Sequence, residues 1–590
     1  MASMCFFPFS IYFHHKNPLA TTRALGVCKP LLRSSSQIKS MTITKDESPI
    51  RRSANYAPSL WSFDYIQSLP ITYTGEYYET RANSLKKAVK TMIPKVVSNP
   101  LNCLELIDNL QRLGISYHFH EEINQVLEKI YDDYFKTQEQ WNEMDMNLKA
   151  LGFRLLRQHG YYVPQEIFDE FKHKVENVKG DIDVVGMLNM YEASFHSFEN
   201  EIILDRVRDV TTEFLKESVD KIDRSSSLWS LVSHALELPL HRRVPRVEAK
   251  WFIEAYKETI NPILMELAII DFNMVQAIHL QDLKSSSSWW RNTCWDKKLS
   301  FSRDRLVENF LWTIGINYRP NFSLGRRRLT KINAIITTVD DVYDVYGTLD
   351  ELKQFTYVIT RWDINAIEEL PDYMKICFLG FYNAINEITY DTLTSTGLLI
   401  FPYIKKAWAD LCKAYMVEAQ WYQTGYTPTL EEYLKNACVS ISTPLTLVHC
   451  SFLTSVTSTQ EILQCMERTD NIVRYSSLIL RLADDLGTSS DEMARGDNPK
   501  SIQCYMRESG ATEDEARSYI KKLIDKTWKK LNKEISDTDS SQFLKEFVDY
   551  ATNIARMAQF MYGEGDGHGH SDVSKYHILS LLFNPIEGLH

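Results

Sequence analysis

Two carboxylates in the sequence are spaced so that they could share a hard metal ion. Asp340 and Asp344 follow an apolar helical run that contains Ile332, and residues four positions apart lie on one face of a helix. Magnesium takes oxygen ligands in proteins, usually a few carboxylates completed by phosphate oxygens of a substrate. An acidic cluster alone is more often a solvated helix face, so the metal interpretation needs a second set of ligands.

A second set of oxygen ligands lies further along the chain. Asp484, Thr488 and Glu492 follow another apolar run and recur every four residues, so their oxygens line one helix face over about 12 Å. Two carboxylates and a hydroxyl suit one magnesium ion, while Asp340 and Asp344 on a facing helix would bind others. An N-cap or an exposed polar face does not explain acids directly after such an apolar segment. The two sets together predict a diphosphate between them.

Basic side chains lie close in sequence to both acidic sets. Arg303 precedes a predicted helix over residues 306–314. Arg481 lies one turn before the second set, and Lys500 follows it. The planar guanidinium of arginine suits diphosphate oxygens, although a single arginine is usually a surface residue. The combination predicts that these three cations bind an anionic substrate beside the metal.

The composition excludes several other functions. The formal net charge is −11, whereas a nucleic-acid-binding protein normally shows a basic face or tail, so no nucleic-acid partner is expected. No stretch approaches the roughly 18 continuous apolar residues of a membrane span, so no membrane partner is expected. The cysteines show no CxxC pair and are interpreted as reduced, structural thiols.

The elements that must position these residues are predicted to be helices almost throughout. From about residue 83 onward, apolar residues recur at helical spacing, and strand-like alternation is hard to find. Proline and glycine occur where helices would end, for example at Gly160, Pro245 and Gly347. The four serines at 285–288 are predicted to form a loop between helices.

The first fifty residues have a composition of their own. No acidic residue occurs before Asp46, while lysine and arginine are spread along the segment and serines cluster at 34–36. This pattern is typical of a transit peptide, and a disordered tail is the alternative. We therefore expect residues 1–50 to be a plastid transit peptide and the protein to act in the plastid stroma.

Four motifs resemble those of the plant class I terpene synthases. Residues 340–344 match the family's DDxxD motif, and residues 484–492 match its second metal motif. Residues 303–305 match its RxR element, and residues 51–61 reproduce the RRx8W signature of the angiosperm monoterpene synthases. The motifs occur in the expected order, and the likeness covers nearly all of the chain after Arg51.

The resemblance implies an all-α protein of two helical domains. Residues 51–270 would form an N-terminal relic α-barrel domain, and residues 271–590 a C-terminal class I α-bundle that holds the active site. The implied cofactor is magnesium or manganese, and the implied assembly is a monomer or a weak homodimer. The implied metal ligands are Asp340, Asp344, Asp484, Thr488 and Glu492. The implied catalytic residues are Asp340, Asp344, Arg303 and Arg481. The implied or expected substrate-binding residues are Arg303, Asp340, Asp344, Arg481, Asp484, Lys500, Trp312 and Asn333.

The implied reaction is the ionisation of geranyl diphosphate with release of diphosphate and formation of a monoterpene. Asn333 lies seven residues before Asp340 and thus on nearly the same helix face. In related enzymes an asparagine there is compatible with cyclic products of the α-terpinyl cation, such as limonene, terpineol or cineole. The structural alternative is an amide satisfied by backbone carbonyls of a neighbouring helix.

Three other functions are weighed against this hypothesis. One is an acyclic monoterpene synthase of the linalool, myrcene or ocimene type, and another is a sesquiterpene synthase that uses farnesyl diphosphate. A helical scaffold protein is the non-enzymatic alternative.

Glu564 stands where many relatives have a histidine before the Gly565-Asp566 pair, so the deprotonating group is left open.

Overall fold

The computed structural model describes residues 51–93, 99–170, 183–453, 458–538 and 541–588. Within these ranges the chain contains helices and loops but no β-strand, which confirms the predicted all-α fold. Residues 1–50, predicted to be the transit peptide, lie outside the described residues. The α-helices, numbered in order along the described residues, are α1 Phe63–Ser68, α2 Glu76–Met92, α3 Pro100–Arg112, α4 His120–Ile130, α5 Gln138–Asn142, α6 Met146–Gln158, α7 Val184–Ser194, α8 Ile202–Val219, α9 Ser227–Glu237, α10 Pro245–Tyr256, α11 Pro262–Thr293, α12 Trp295–Lys298, α13 Leu306–Ile316, α14 Ser323–Asp341, α15 Leu349–Arg361, α16 Asp372–Thr396, α17 Phe401–Thr424, α18 Leu430–Ser440, α19 Thr443–Ser451, α20 Thr459–Arg468, α21 Asp470–Arg495, α22 Ser501–Ser509, α23 Glu513–Ser536, α24 Gln542–Tyr562 and α25 Ser571–Ile578. The 3-10 and π-helical turns are Ser116–His118, Tyr131–Phe135, Gln165–Phe168, Leu240–Arg242, Pro320–Phe322, Val342–Tyr346, Ile364–Glu369 and Leu579–Phe583.

The long helix α11 connects the two halves of the chain. It starts with Pro262 after Asn261, whose side chain accepts a hydrogen bond from the Ile263 N–H. It packs against both α2 and α14. The helical stretch Pro262–Lys298 is long and apolar enough to cross a membrane, but 78% of its apolar window is buried inside the protein. Its hydrophobicity therefore serves the core, as expected for a central helix.

The four serines at 285–288 lie inside α11, so the predicted loop is wrong. Ser287 and Ser288 each donate a hydroxyl hydrogen bond to the Lys284 carbonyl at 3.0 Å, which satisfies them within the helix. The Gln67 amide also donates to Ser287 Oγ at 2.9 Å. Packing against the segment around Gln67 thus overrides the weak helix propensity of serine.

Two hydrophobic cores are built around α11. The first is formed mainly by α2–α10, α13 and residues 578–586, and the second mainly by α14–α24. Trp312 and Tyr562 pack against both cores. These two aromatic side chains therefore lie where the cores meet.

The loop at residues 195–201 joins the N-terminal half to the C-terminal half. Asn532 in α23 donates to the carbonyls of Phe195 and Ser197, each at 3.0 Å. Both bonds are buried, so their donor and acceptors have no alternative partner in water. The position of this loop therefore determines how α23 docks.

A buried ion pair holds this loop from the N-terminal side. Arg157 contacts Glu201 through two bonds of 2.6 and 2.7 Å and donates to the His196 carbonyl at 2.9 Å. The Arg157 and Glu201 side chains are only 3% and 11% exposed. Removing one partner would leave a charge in the interior without compensation.

We predict that Glu201→Ala lowers the free energy of unfolding by about 3–5 kcal/mol, because Arg157 remains buried and unpaired. The matched control is Lys136→Ala, which breaks an exposed pair with Asp132 and should change stability by less than about 1 kcal/mol. Denaturant unfolding followed by helical circular dichroism measures both. Equal effects of the two substitutions would contradict the prediction.

Candidate active site

A cavity of about 490 Å³ lies between α14, α17 and α21. The structure brings together in it every residue that the sequence predicts for the site. These residues are Arg303, Trp312, Asn333, Asp340, Asp344, Arg481, Asp484, Thr488, Glu492 and Lys500.

The first acidic motif lies at a change of helix type. Helix α14 ends at Asp341, and the chain continues as the π-helical turn Val342–Tyr346. Asp340 and Asp344, predicted to be one α-helical turn apart, therefore lie on either side of this junction. Both line the cavity, and such widened turns are frequent at functional sites.

Arg303 neutralises the acids at the end of α14. Its Nη2 lies 2.5 Å from Asp340 Oδ2, and its Nε lies 2.9 Å from Asp341 Oδ1. Asp341 is fully buried and also accepts hydrogen bonds from the Ser302 hydroxyl and the Arg303 backbone N–H. Burial raises the pKa of Asp341 to about 6, and the charge of Arg303 opposes that rise. Asp341 therefore orients Arg303, while Asp340 is left 28% exposed at the cavity.

The second acidic motif repeats this division of roles. Arg481 Nη1 lies 2.8 Å from Asp484 Oδ2 and 3.5 Å from Asp485 Oδ1. The fully buried Asp485 accepts hydrogen bonds from the Tyr433 hydroxyl at 2.9 Å and the Ser501 N–H at 3.0 Å. In both motifs the first aspartate lines the cavity, and the second connects neighbouring elements.

Lys500 and Glu492 form a third pair of opposite charges. Lys500 Nζ lies 3.7 Å from Glu492 Oε1, and both side chains are largely buried. The other carboxylate oxygen, Oε2, is buried and has no hydrogen-bond partner among the described residues. One turn earlier, the Thr488 hydroxyl donates to the Asp484 carbonyl at 3.0 Å.

The cavity has less positive charge than its carboxylates require. Burial raises the pKa of Asp344 well above its ordinary value, and the charge of Asp340 adds to the effect. Burial also raises the pKa of Asp484 to about 7 and that of Glu492, although Arg481 and Lys500 oppose these shifts. Additional cations would stabilise the ionised form of these acids.

These groups fit magnesium bound together with a diphosphate. Within the described residues no three His, Cys, Asp or Glu side chains converge on one point to form a complete protein-only metal site. Magnesium does not need one, because it keeps several waters and uses one or two carboxylates plus substrate phosphates. Asp340 and Asp344 on one side, and Asp484, Thr488 and Glu492 on the other, offer such partial ligand sets.

The remaining wall of the cavity is aromatic, apolar and weakly polar. The rings of Trp312 and Tyr562 have centroids 6.2 Å apart. Asn333 is half-buried, and its side-chain amide makes no hydrogen bond to any other described residue. The structural alternative considered for Asn333, an amide satisfied by a neighbouring helix, is therefore not observed in this part of the chain.

An N-terminal strap, residues 51–57, lies over the cavity. Arg51 forms a bidentate ion pair with Glu351, with both contacts at 2.9 Å. Arg52 donates to the backbone carbonyl of Asp344 at 2.9 Å. The tandem arginines thus attach the strap to the turn that carries the first acidic motif.

The loop at residues 563–570 forms the opposite rim. Arg305, the second arginine of the RxR element, donates to the Gly569 carbonyl at 2.7 Å and to the Ala57 carbonyl at 2.9 Å. Gly487 of α21 permits the close approach of this loop, because a Cβ there would lie 2.8 Å from the Tyr562 carbonyl oxygen. Arg305 therefore connects the strap to the loop.

His568 in this loop contributes a neutral imidazole. Burial lowers its pKa to about 4, and the nearby Arg303 lowers it further. Its Nε2 lies 3.3 Å from the Thr337 hydroxyl, and both residues line the cavity.

Sequence reasoning missed Glu418, a buried acid that lines the cavity from α17. Its Oε1 accepts hydrogen bonds from the Ser440 hydroxyl at 2.5 Å and the Asn436 amide at 3.1 Å. A signal was present, because Glu418 continues the helical stripe of Trp408 and Tyr415, where an apolar residue is expected.

Residues 60–236 match the terpene synthase N-terminal domain, and residues 291–530 match the metal-binding domain of the terpene synthase family. A relative named "R-linalool synthase QH5, chloroplastic", from Artemisia annua, is 63% identical over the full length of both chains. The chain belongs to the terpene synthase family.

Solved structures of terpene synthases share its two-domain helical fold. A limonene synthase crystallised with 2-fluorolinalyl diphosphate has a TM-score of 0.86 and 43% identity, over 91% of this chain and 100% of that one. An isoprene synthase from grey poplar, with three Mg²⁺ ions and a dimethylallyl thiolodiphosphate, has a TM-score of 0.80 and 41% identity, over 90% and 100%. The terpene synthase described here is thus a metal-dependent lyase that acts on a prenyl diphosphate.

We predict that two acids of the site affect stability in opposite directions. Asp485→Ala should lower the free energy of unfolding by about 3 kcal/mol or more, because Arg481, Tyr433 and the Ser501 N–H lose their buried acceptor. Asp344→Asn should raise the melting temperature of the metal-free protein at neutral pH. The pKa of Asp344 is raised in the folded protein, so folding disfavours its ionised form. The resulting loss of folding stability grows as the pH rises above the ordinary carboxyl pKa, and asparagine avoids it.

Thermal melting in a chelating buffer, with and without added magnesium, measures both effects. Magnesium should raise the melting temperature of the wild type and do so less for Asp344→Asn. The division of roles would be contradicted if Asp344→Asn destabilised the metal-free protein as much as Asp485→Ala does.

Proposed function

We propose that this terpene synthase is a monoterpene synthase that ionises geranyl diphosphate in the plastid. The observation that carries the proposal is the convergence of two partial metal-ligand sets and three cations on one cavity with an aromatic wall. The full-length similarity to a relative named as a chloroplastic linalool synthase supports geranyl diphosphate as the substrate. A scaffold protein would have no use for buried acids that lack sufficient counter-charge.

Arg303, Arg481 and Lys500 bind the diphosphate in this proposal. In the free protein each of them contacts a carboxylate of the cavity. Asp340 and Asp344 on one side, and Asp484, Thr488 and Glu492 on the other, would hold magnesium, which would supply Lewis-acid stabilisation of the leaving group. The three cations keep their positions and exchange their contacts with the cavity carboxylates for contacts with the diphosphate oxygens. Their charges stabilise the negative charge that develops as the C–O bond breaks.

The carbocation that remains needs a dry cavity with negative aromatic faces. Trp312 and Tyr562 line the side of the cavity where the two hydrophobic cores meet, and the face of an aromatic ring attracts a cation. The strap and the loop at residues 563–570 cover the cavity and restrict the entry of water. The neutral imidazole of His568 is a group in this cavity that can accept a proton.

Two product classes fit this chemistry. The cyclic class, formed through the α-terpinyl cation, is the sequence-based hypothesis and rests on Asn333. The second candidate is an acyclic tertiary alcohol, and the 63% identity to an R-linalool synthase favours it. The half-buried Asn333 amide, which has no described protein partner, is suited to contact either the cation or a water molecule.

Domain organisation, location and assembly complete the proposal. We keep residues 51–270 and 271–590 as the two domains, although residue 270 falls within α11, which packs against both halves. The relatives named as chloroplastic support a plastid location for this enzyme. Residues 1–50 would then be the signal for import into the stroma. The enzyme is proposed to be a monomer or a weak homodimer.

The first prediction from this proposal concerns metal-dependent turnover. Protein that begins at Arg51 should release diphosphate from geranyl diphosphate only when magnesium or manganese is present. Asp340→Asn and Glu492→Gln should each lower kcat/KM by roughly 100-fold or more, because each weakens the stabilisation of the leaving group. Asp372→Asn is the matched control, since that side chain is 98% exposed.

Gas chromatography of products from geranyl and farnesyl diphosphate completes this test. Faster turnover of farnesyl diphosphate would favour a sesquiterpene synthase. Wild-type rates for both Asp340→Asn and Glu492→Gln would contradict the assignment of the metal ligands.

The second prediction concerns the steering of the cation by Asn333. Asn333→Ile should shift a cyclic product mixture towards bicyclic or hydride-shifted olefins, because the polar contact that holds the α-terpinyl cation is lost. Magnesium dependence should stay unchanged. Lys331→Gln is the control on the same helix, since Lys331 pairs with the exposed Glu387. An unaltered product mixture for Asn333→Ile would contradict the steering role, and a wild type that forms only linalool would establish the second candidate.

A further inference from the structure

Tyr56 of the strap lines the active-site cavity, although the RRx8W motif specifies only arginine and tryptophan. The guanidinium carbon of Arg303 lies 4.9 Å from the centroid of the Tyr56 ring. Arg303 is the cation that pairs with Asp340 and Asp341. A ring at this distance attracts the guanidinium and covers it from solvent.

The ring of Tyr56 is not placed there by ordinary core packing. Tyr56 belongs to neither hydrophobic core, whereas Trp61 of the same segment is part of the first core. The strap is instead fixed on both sides of Tyr56 by polar contacts. Arg52 donates to the Asp344 carbonyl, and the Ala57 carbonyl accepts from Arg305. Tyr56 is therefore held at the cavity by its neighbours along the chain.

The hydroxyl of Tyr56 makes no hydrogen bond to any other described residue. Burial raises the pKa of Tyr56, the charge of Arg303 opposes the rise, and the charges of Asp341, Asp340 and Asp344 add to it. The phenol therefore stays protonated at neutral pH and is available as a hydrogen-bond donor. The Tyr56 side chain is half-buried and lines the cavity, so its hydroxyl is placed to donate to an anion that lies beside Arg303.

We infer that Tyr56 is a diphosphate-binding residue: its hydroxyl donates to the diphosphate of the substrate, and its ring covers Arg303 and keeps water from the leaving group. This inference rests on the proposed function, since it needs a diphosphate beside Arg303. It assigns to the strap a direct contact with substrate in addition to the anchoring by Arg51 and Arg52. The hydroxyl and the ring can be tested separately.

The hydroxyl is tested with Tyr56→Phe, which keeps the ring. Isothermal calorimetry with inorganic diphosphate and excess magnesium should show about ten-fold weaker binding than in the wild type, as expected for one lost hydrogen bond to a charged group. The kcat/KM for geranyl diphosphate should fall by a similar factor, with an unchanged product mixture and melting temperature. Tyr390→Phe is the control, because Tyr390 is 66% exposed on α16.

The ring is tested with Tyr56→Ala. Beyond the effect of Tyr56→Phe, this substitution should raise the fraction of water-capture alcohols such as geraniol among the products, because the cover over Arg303 is removed. If Tyr56→Ala fails to fold, Tyr56→Phe alone decides, since it removes one oxygen atom.

The outcomes separate this inference from the proposed function. Wild-type diphosphate binding and kcat/KM in Tyr56→Phe would overturn the inference while turnover by the wild-type enzyme upholds the function. A lower melting temperature of Tyr56→Phe with unchanged diphosphate affinity would also overturn it, because it would show a structural role only. A wild type that binds magnesium diphosphate but does not turn over geranyl diphosphate would contradict the proposed function, and the calorimetry would still test Tyr56.

Discussion

The balance of charge around a cavity lined by buried carboxylates is the constraint on which this active site depends. Ionised carboxylates are costly to bury, and the cost falls only when cations lie within contact distance. Among the described residues no cation is in contact with the Asp344 carboxylate, and burial together with the charge of Asp340 raises its pKa strongly. The acids that do have partners are Asp340 with Arg303, Asp484 with Arg481 and Glu492 with Lys500. In the proposed function, a diphosphate accompanied by metal ions would bring both signs of charge at once, so all of these groups would exchange partners without leaving any charge uncompensated.

Such an exchange requires that the cations keep their positions while their partners change. The second aspartate of each motif meets this requirement, because Asp341 and Asp485 remain bonded to Arg303 and Arg481 from the side away from the cavity. Electrostatic stabilisation of a leaving group is effective only when its donors are already in place. The doubled aspartates therefore serve two tasks, with one carboxylate at the cavity and one in the support behind it.

The sequence predicted the helical fold and the residues of the cavity because both depend on short-range spacing. Carboxylates four residues apart on an apolar helix can be recognised without knowing what that helix faces. Tyr56 could not be assigned in this way, since its role depends on a contact with Arg303, far away in the chain. Glu418 does interrupt an apolar helical stripe, but that spacing does not show which residues it contacts. The serines at 285–288 misled the prediction for a related reason, because the bonds of Ser287 to Lys284 and to Gln67 override local propensity. Where tertiary contacts determine the local structure or the role of a side chain, the pattern of residues close in sequence is not enough to predict it.

The N-terminal half contributes to catalysis through support as well as through the strap. Among the described residues that line the cavity, those before α11 all belong to the strap. The N-terminal helices nevertheless pack against α11, which in turn packs against α14, the helix that carries Asp340. The buried Arg157–Glu201 pair holds the loop that receives α23, and α23 packs against α21, the helix that carries Asp484. Each acidic motif is thus backed by a continuous path of packed elements that begins in the N-terminal half. Because a displacement of about 1 Å can cost a hundredfold in rate, the packing of the N-terminal half can affect turnover even where its described residues beyond the strap do not line the cavity.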